Sequence, residues 1–476
     1  MHKRTKIICT IGPASEKKAV LEKMVAAGMN VARLNFSHGT YQNHQLLINN
    51  LRAVSSKLGV PIAILQDLQG PRIRTGELPK SGIALQAGKT VTLVWAGRSS
   101  KTAVQSQTVV PIQYDLSKVV RKGTRILIND GLFELRVVKF HPGKSTVDCA
   151  VVRGGVVLSH RGMNIPKTKI DAPSITYRDK EDLKFGLRAG VDWVALSFVR
   201  EAHDVLQLKK LIRQYQPSSR VKVIAKIERQ EAVDHFDEIL AVADGIMVAR
   251  GDLGIELPAF DIPVIQKRIV SQCLEAHKPV IIATQMMESM MEKPRPTRAE
   301  VSDVANAVAD HADAVMLSGE TATGKYPVEV VQMMSQTIRK MENSPYDDLV
   351  VNRDVHYRST ELGVADAAAR LVKKLKAKAI VTIAENETVP EALVRFRPET
   401  KIIVLTTQDK LRQQLALIWG VTAMTHSGKV PFSALPTLAR QLALKYQLAK
   451  AGQTIIVVGD EVGSGKTLEL LKVVKV

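Results

Sequence analysis

Four apolar runs in the middle of the chain each end in a polar or charged residue: residues 223–228 (V-I-A-K-I-E), 246–252 (I-M-V-A-R-G-D), 280–285 (V-I-I-A-T-Q) and 314–320 (A-V-M-L-S-G-E). Continuous apolar runs of this length suit buried parallel strands, which have no solvent-facing side to alternate with. Helix-like segments separate them, so the local pattern is repeated βα, the mark of a parallel α/β sheet or barrel. Three earlier runs (residues 6–12, 30–38 and 61–70) and one at 193–199 bring the count to eight, the number that closes a (β/α)8 TIM barrel. In such a barrel chemistry sits at the carboxyl ends of the strands. Those ends are expected to bring Lys226, Glu228, Asp252, Thr284, Ser318 and Glu320 to one mouth.

Between the third and fourth strands the texture changes. Short alternating segments, Thr90–Trp95, Arg125–Ile128, 133–140 and 146–152, are divided by turns such as Asn129-Asp130-Gly131 and Pro142-Gly143. That pattern predicts a small all-β insertion leaving the carboxyl end of a barrel strand, where it would overhang the mouth as a lid. A Pro/Asn/Asp-rich stretch at 342–354 reads as a linker. Beyond it, runs at 379–384, 401–406 and 454–459 alternate with helices in a doubly wound α/β unit. The expected division is a barrel over 1–71 and 171–341, a β-rich lid over 72–170 and a C-terminal α/β domain over 355–476.

Length changes this picture little: 476 residues exceed what one core supports, so two or three domains are expected. No apolar run approaches the ~20 residues that cross a bilayer. Residues 1–6 lead straight into a strand with no apolar leader, so a cytoplasmic protein is expected. Cys9, Cys149 and Cys273 lie far apart without metal-ligand spacing and are expected to be reduced and buried. The net charge of +20 is concentrated in residues 72–170, which carry 17 Lys/Arg against 5 Asp/Glu. Nucleic-acid binding would want that charge in runs with aromatics for stacking. Here it is dispersed, and aromatics make up 4%. A surface that attracts small anionic substrates fits better.

Candidate chemistry gathers at the strand ends. Glu228 and Asp252 end consecutive strands and suit Mg2+, which takes one or two protein carboxylates plus substrate oxygens and water. Asp252 alone could equally be a turn residue, but Lys226 stands on the same strand face as Glu228 and strengthens the metal reading. Gly251 and Gly254 let backbone N–H groups approach an anion. Arg33, Asn35 and Ser37 alternate on one face of the second strand, and three polar groups in register imply a ligand or an ion. Asp67 is their oxygen neighbour on the third strand, and His38 is either an acid/base or a substrate contact. Residues 459–467 imitate a P-loop, yet the position of its first glycine is Asp460, an anion where phosphate would sit.

Taken in order along nearly the whole chain, these segments resemble the pyruvate kinase family. The resemblance rests on Ile8-Cys9-Thr10-Ile11-Gly12-Pro13-Ala14-Ser15, Arg33-Leu34-Asn35-Phe36-Ser37-His38-Gly39 and Gln69-Gly70-Pro71-Arg72-Ile73-Arg74-Thr75-Gly76. Most specific are Ala225-Lys226-Ile227-Glu228, Ala249-Arg250-Gly251-Asp252-Leu253-Gly254 and Ala283-Thr284-Gln285-Met286-Met287-Glu288-Ser289-Met290. The resemblance implies phosphoryl transfer from phosphoenolpyruvate to ADP, with Mg2+ (or Mn2+) on Glu228 and Asp252. It implies that Lys226 and Arg33 contact the phosphoryl group, and that Gly251, Asp252 and Thr284 bind the substrate carboxylate. It places Asn35, His38, Arg74 and Arg178 on the nucleotide side, and implies a homotetramer, which the residues themselves do not give.

The chain departs from the family pattern in several places. Arg178 replaces a common lysine, and Asn129-Asp130 replaces two aspartates in the lid. The segment Ala384-Glu385-Asn386-Glu387-Thr388-Val389-Pro390 is acidic where many members have an effector-phosphate loop. Asn35, Ser37, Asp67 and the Leu68 carbonyl look like the family's potassium ligands. Yet potassium-dependent members have a glutamate at the position of Arg72, and potassium-independent ones usually a lysine. A cation fixed near Asp67 would stand in for K+, so no potassium requirement is expected. A Mg2+-dependent barrel lyase or aldolase acting on a pyruvate enolate is the competing reading. It leaves the lid, Arg33 and Arg74 unexplained.

Overall fold

A computed structural model describes residues 3–95, 97, 109–166, 168, 170, 173–347, 359–428, 430–463 and 466–476, with backbone alone at 460–463 and 466–469. Eight parallel strands close the expected barrel: Lys6–Thr10, Val31–Asn35, Ala63–Asp67, Trp193–Leu196, Lys222–Ile227, Gly245–Ala249, Val280–Ala283 and Ala314–Leu317. Each pairs with its neighbours in chain order, and the first pairs with the last. Period-two alternation divides every strand. Cys9, Ala32, Leu34, Val223, Ala225 and Ile227 pack against the surrounding helices. Ile8, Val31, Leu65, Ala195, Ile224 and Met247 fill the barrel interior. One alternation further toward the carboxyl ends, the same inward positions are Thr10, Arg33, Asp67, Ser197 and Lys226. The chemistry therefore stands on top of the packed core.

The insertion is all-β, as its texture predicts. A seven-stranded sheet and a two-stranded ribbon enclose an apolar core of their own, built on Leu93, Ile126, Leu135 and Cys149. Its entry strand, Ile73–Arg74, pairs with its exit strand, Gly162–Asn164, so both ends of the lid meet at one hinge.

Beneath the barrel, at the amino ends of its strands, lies a five-stranded sheet in the order Val421–Thr425, Lys401–Thr406, Ala379–Ile383, Thr454–Gly463, Lys466–Lys475. The first four are parallel and the last antiparallel, with helices on both faces. The P-loop-like stretch runs from one strand of this hairpin into the other, with no helix to receive a phosphate. Residues 464 and 465 at its turn lie outside the described residues, as do 348–354 of the expected linker. Below the barrel, the buried Arg397 side chain makes two 3.0 Å contacts with the Asp313 carboxylate. Lys6 Nζ donates to the Val421 carbonyl at 2.6 Å. Lys410 and Arg52 both reach Asp192, at 3.0 and 2.8 Å. The contacts of Arg397, Lys6 and Lys410 fix the C-terminal unit to the barrel floor, opposite the mouth, and Arg52 holds Asp192 from the barrel side.

All three cysteines are buried free thiols. Among the described residues, no helix is long and apolar enough to cross a membrane.

Candidate active site

The centre of the mouth is the Lys226 ammonium. It is buried and donates to Ser197 Oγ at 2.7 Å, to Glu228 Oε1 at 2.9 Å and to Asp67 Oδ1 at 3.2 Å. Burial pulls its pKa down, but the Asp67 and Glu228 carboxylates outweigh burial, so the net shift is upward and the group stays charged. Asp67 is held on its other side by Arg33, whose Nε donates to Oδ2 at 2.7 Å and whose Nη1 donates to Thr10 Oγ1 at 2.9 Å. Burial alone would raise the Asp67 pKa; Lys226 and Arg33 bring it below its ordinary value.

Glu228 Oε2 accepts the Phe198 N–H at 2.7 Å. Asp252 sits in the first turn of the short helix Arg250–Glu256. Its carboxyl is pushed up to about 6, first by burial and then by the Glu228 carboxylate, against the pull of Arg72 and Lys226. Glu228 is paired with Lys226 and Asp252 lies 3.9 Å from Arg72; the two neighbouring carboxylates could hold a divalent cation that draws its remaining ligands from substrate and water. Among the described residues, no group of three or more His, Cys, Asp or Glu side chains is placed to hold a metal ion by itself.

Beside Asp252, Thr284 Oγ1 accepts the Gly251 N–H at 2.7 Å and donates to the Ala283 carbonyl at 2.6 Å. Thr284 and Gln285 are held at φ 70° and 56°, a left-handed conformation uncommon outside glycine. Arg250 secures this turn: its guanidinium binds both Asp303 oxygens at 2.7 Å and donates to the Thr284 carbonyl at 2.8 Å. Nothing in the strand pattern marks Arg250 for this part, since its partners, Thr284 and Asp303, come from later in the chain.

On the opposite rim stands a cluster of arginines. Arg74 donates to the His160 carbonyl at 3.1 Å and Arg178 to the Phe36 carbonyl at 3.2 Å. Arg178 opens a helix fixed by a Thr176/Asp179 capping box, and Asp179 also accepts the Gly70 N–H at 3.1 Å. Burial first, then Arg74, Arg33, Arg178 and Arg72, lower the His38 pKa and favour its neutral ring. Asn35 Oδ1 accepts the Ser37 N–H at 3.1 Å.

Two placements differ from expectation. Arg72 pairs with Asp130 of the lid turn and lies 3.9 Å from Asp252. Among the described residues, the cations within ion-pair distance of Asp67 are Arg33 and Lys226 instead. Glu320 is turned away from the mouth: its oxygens accept the Ser318 and Met287 N–H groups at 2.7 and 3.2 Å, holding two loops together. The buried Ser318 Oγ next to it has no hydrogen-bond partner among the described residues. Ser197 is a further residue of the site, and the signal for it in the sequence is the period-two count along its strand from Trp193 through Ala195.

Comparison with known proteins agrees with this fold. A family model described as pyruvate kinase, barrel domain, matches residues 2–331, and one described as pyruvate kinase, alpha/beta domain, matches 363–474. The chain is 40% identical over 477 aligned residues to the pyruvate kinase of Sporosarcina psychrophila, covering 99% of this chain and 80% of that relative. It is 39% identical to the enzymes of Geobacillus stearothermophilus and Bacillus licheniformis at the same coverage. With the barrel, the inserted lid, the C-terminal α/β unit and matches of this extent, the chain belongs to the pyruvate kinase family, and its activity is that of a phosphotransferase of this kind.

Proposed function

We propose that this chain moves the phosphoryl group of phosphoenolpyruvate to ADP, yielding pyruvate and ATP. The observation that carries the reading is a buried Lys226, ion-paired to Asp67 and Glu228 and held beside Arg33 at the barrel mouth, with the Asp252 carboxyl next to Glu228. Arg33 and Lys226 would take the phosphoryl oxygens, and Lys226 would neutralise the enolate as the P–O bond breaks. The Gly251 and Asp252 N–H groups with the Thr284 hydroxyl would receive the substrate carboxylate. Arg74, His38, Asn35 and Arg178 would face the polyphosphate of ADP. Glu228 and Asp252 would hold Mg2+ (or Mn2+), which would supply positive charge to offset that of the substrate oxygens. Closing the basic lid would exclude water and limit hydrolysis.

In this reading, residues 1–71 and 171–341 form the catalytic barrel, 72–170 the lid and 355–476 a regulatory or assembly domain. The enzyme works in the cytoplasm as a homotetramer and needs no potassium. Mixing the purified protein with phosphoenolpyruvate and MgADP should release pyruvate. No pyruvate, or cleavage of an oxo acid without ADP, sinks the proposal in favour of a lyase or aldolase.

Fructose 1,6-bisphosphate should not activate this enzyme strongly. The loop expected to receive its phosphate carries Glu385, tied to Thr407 at 2.8 Å, and Glu387, tied to Lys222 of the barrel at 2.8 Å. Both would repel phosphate, where such a site needs donors. A several-fold drop in the KM for phosphoenolpyruvate on adding the bisphosphate would refute this.

A further inference from the structure

Ser197 makes contacts that the roles above leave unused. It follows the fourth barrel strand, is 3% exposed, and its hydroxyl stands between the catalytic lysine and the third strand. Oγ accepts from Lys226 Nζ at 2.7 Å and donates to the Leu68 carbonyl at 2.7 Å, with Asp67 Oδ1 at 3.4 Å. An ammonium has only hydrogens to offer, so the serine proton must point elsewhere, and the Leu68 carbonyl takes it. That fixes the direction of the hydroxyl and aims a lone pair at Lys226.

The next residue strengthens the arrangement. Phe198 is held at φ 56°, an uncommon conformation for a bulky residue, and its N–H donates to Glu228 Oε2 at 2.7 Å. One left-handed turn thus presents a hydroxyl to Lys226 and an amide to Glu228. The lid hinge is packed against the same turn. A Cβ on Gly70 (φ 68°) would meet Phe198 Cδ2 at 3.0 Å, the Ser197 carbonyl at 3.1 Å and Ser197 Cβ at 3.2 Å. No larger residue fits there without moving the turn.

We propose that Ser197 is a positioning residue for Lys226, holding the ammonium through the one uncharged acceptor of the three it contacts. This rests on the phosphoryl-transfer reading above. Of the three contacts the one to Asp67 is the longest at 3.2 Å, and Asp67 is also held by Arg33. It is the one that loosens when an anionic phosphoryl oxygen arrives, while Ser197 at 2.7 Å and Glu228 at 2.9 Å keep the Nζ in place. A third carboxylate at this position would repel the substrate. A hydrogen-bonding water would lack the fixed orientation that the Leu68 carbonyl imposes.

The test measures kcat, the KM for phosphoenolpyruvate and the thermal unfolding midpoint for the full-length parent, Ser197→Ala, Ser197→Cys and Ser197→Thr. Removing an acceptor from a buried charge is expected to lower kcat about 10- to 100-fold in the alanine and cysteine variants, with KM within about threefold. Cysteine keeps the bulk and supplies only a weak acceptor. Threonine restores the oxygen and should recover at least about a third of the parent kcat. Pyruvate formation by the parent but an alanine variant retaining more than half its kcat overturns the inference alone; an inactive parent overturns the reading beneath it. A loss that appears in KM, or that follows the unfolding midpoint across the variants instead of the presence of the hydroxyl, makes Ser197 structural and also overturns it.

Discussion

Lys226→Met should leave an enzyme that binds phosphoenolpyruvate nearly as well as the parent and turns it over ~10²–10³ times more slowly. Methionine matches the lysine stem in length and keeps most of its packing, so what is removed is the charge. That charge is secure in the parent because Asp67 and Glu228 offset the cost of burying it. It matters most where negative charge develops, on the transferring phosphoryl group and the forming enolate, so the loss falls on kcat and not on KM. Ground-state binding keeps Arg33, still bonded to Asp67, together with the Gly251–Thr284 pocket. Steady-state kinetics check this directly. A mutant with more than about a tenth of the parent kcat has lost under ~1.4 kcal/mol of transition-state stabilisation, and Lys226 would then lie outside the mechanism.

Full activity is expected in a buffer whose only cation besides Mg2+ is a bulky ammonium, and Arg72→Glu should create a potassium requirement. Three of the four oxygens that resemble potassium ligands already receive protein hydrogens. Asn35 Oδ1 takes the Ser37 N–H, Asp67 takes Arg33 and Lys226, and the Leu68 carbonyl takes the Ser197 hydroxyl. Arg72 adds positive charge on the other side of the mouth, between Asp130 and Asp252. A glutamate there would set a carboxylate against Asp130 and Asp252, opening the lid contact and leaving the mouth too negative for an anionic substrate. Added KCl should then restore activity at least about tenfold in the variant, equivalent to ~1.4 kcal/mol, and change the parent little. Tenfold stimulation of the parent would overturn the expectation.

The outline of this protein was legible in the chain because it depends on local patterning. Eight apolar runs, each with a polar end, spell a barrel and its reactive rim, since side chains in a strand alternate with period two and buried parallel strands leave no polar face. The alternating segments with Asn-Asp-Gly and Pro-Gly turns spell an inserted sheet for the same reason. Arg33, Asp67, Lys226, Glu228 and Asp252 could be named because polar residues at the ends of core strands have nowhere to go but the mouth. Their partners could not, because contacts across a closed barrel depend on strand register and on the turns that follow each strand. Nothing local says that Ser197 meets Lys226, or that Arg72 reaches across to Asp130 of the lid instead of to Asp67. Glu320 shows the same limit: it follows a barrel strand like Glu228 does, but the amides of Ser318 and Met287 claim both its oxygens and turn it from the site. Sequence periodicity decided which side chains stand on the rim; barrel closure and loop conformation decided which of them meet, because hydrogen bonds are made only within about 3 Å and that distance is set by the whole fold.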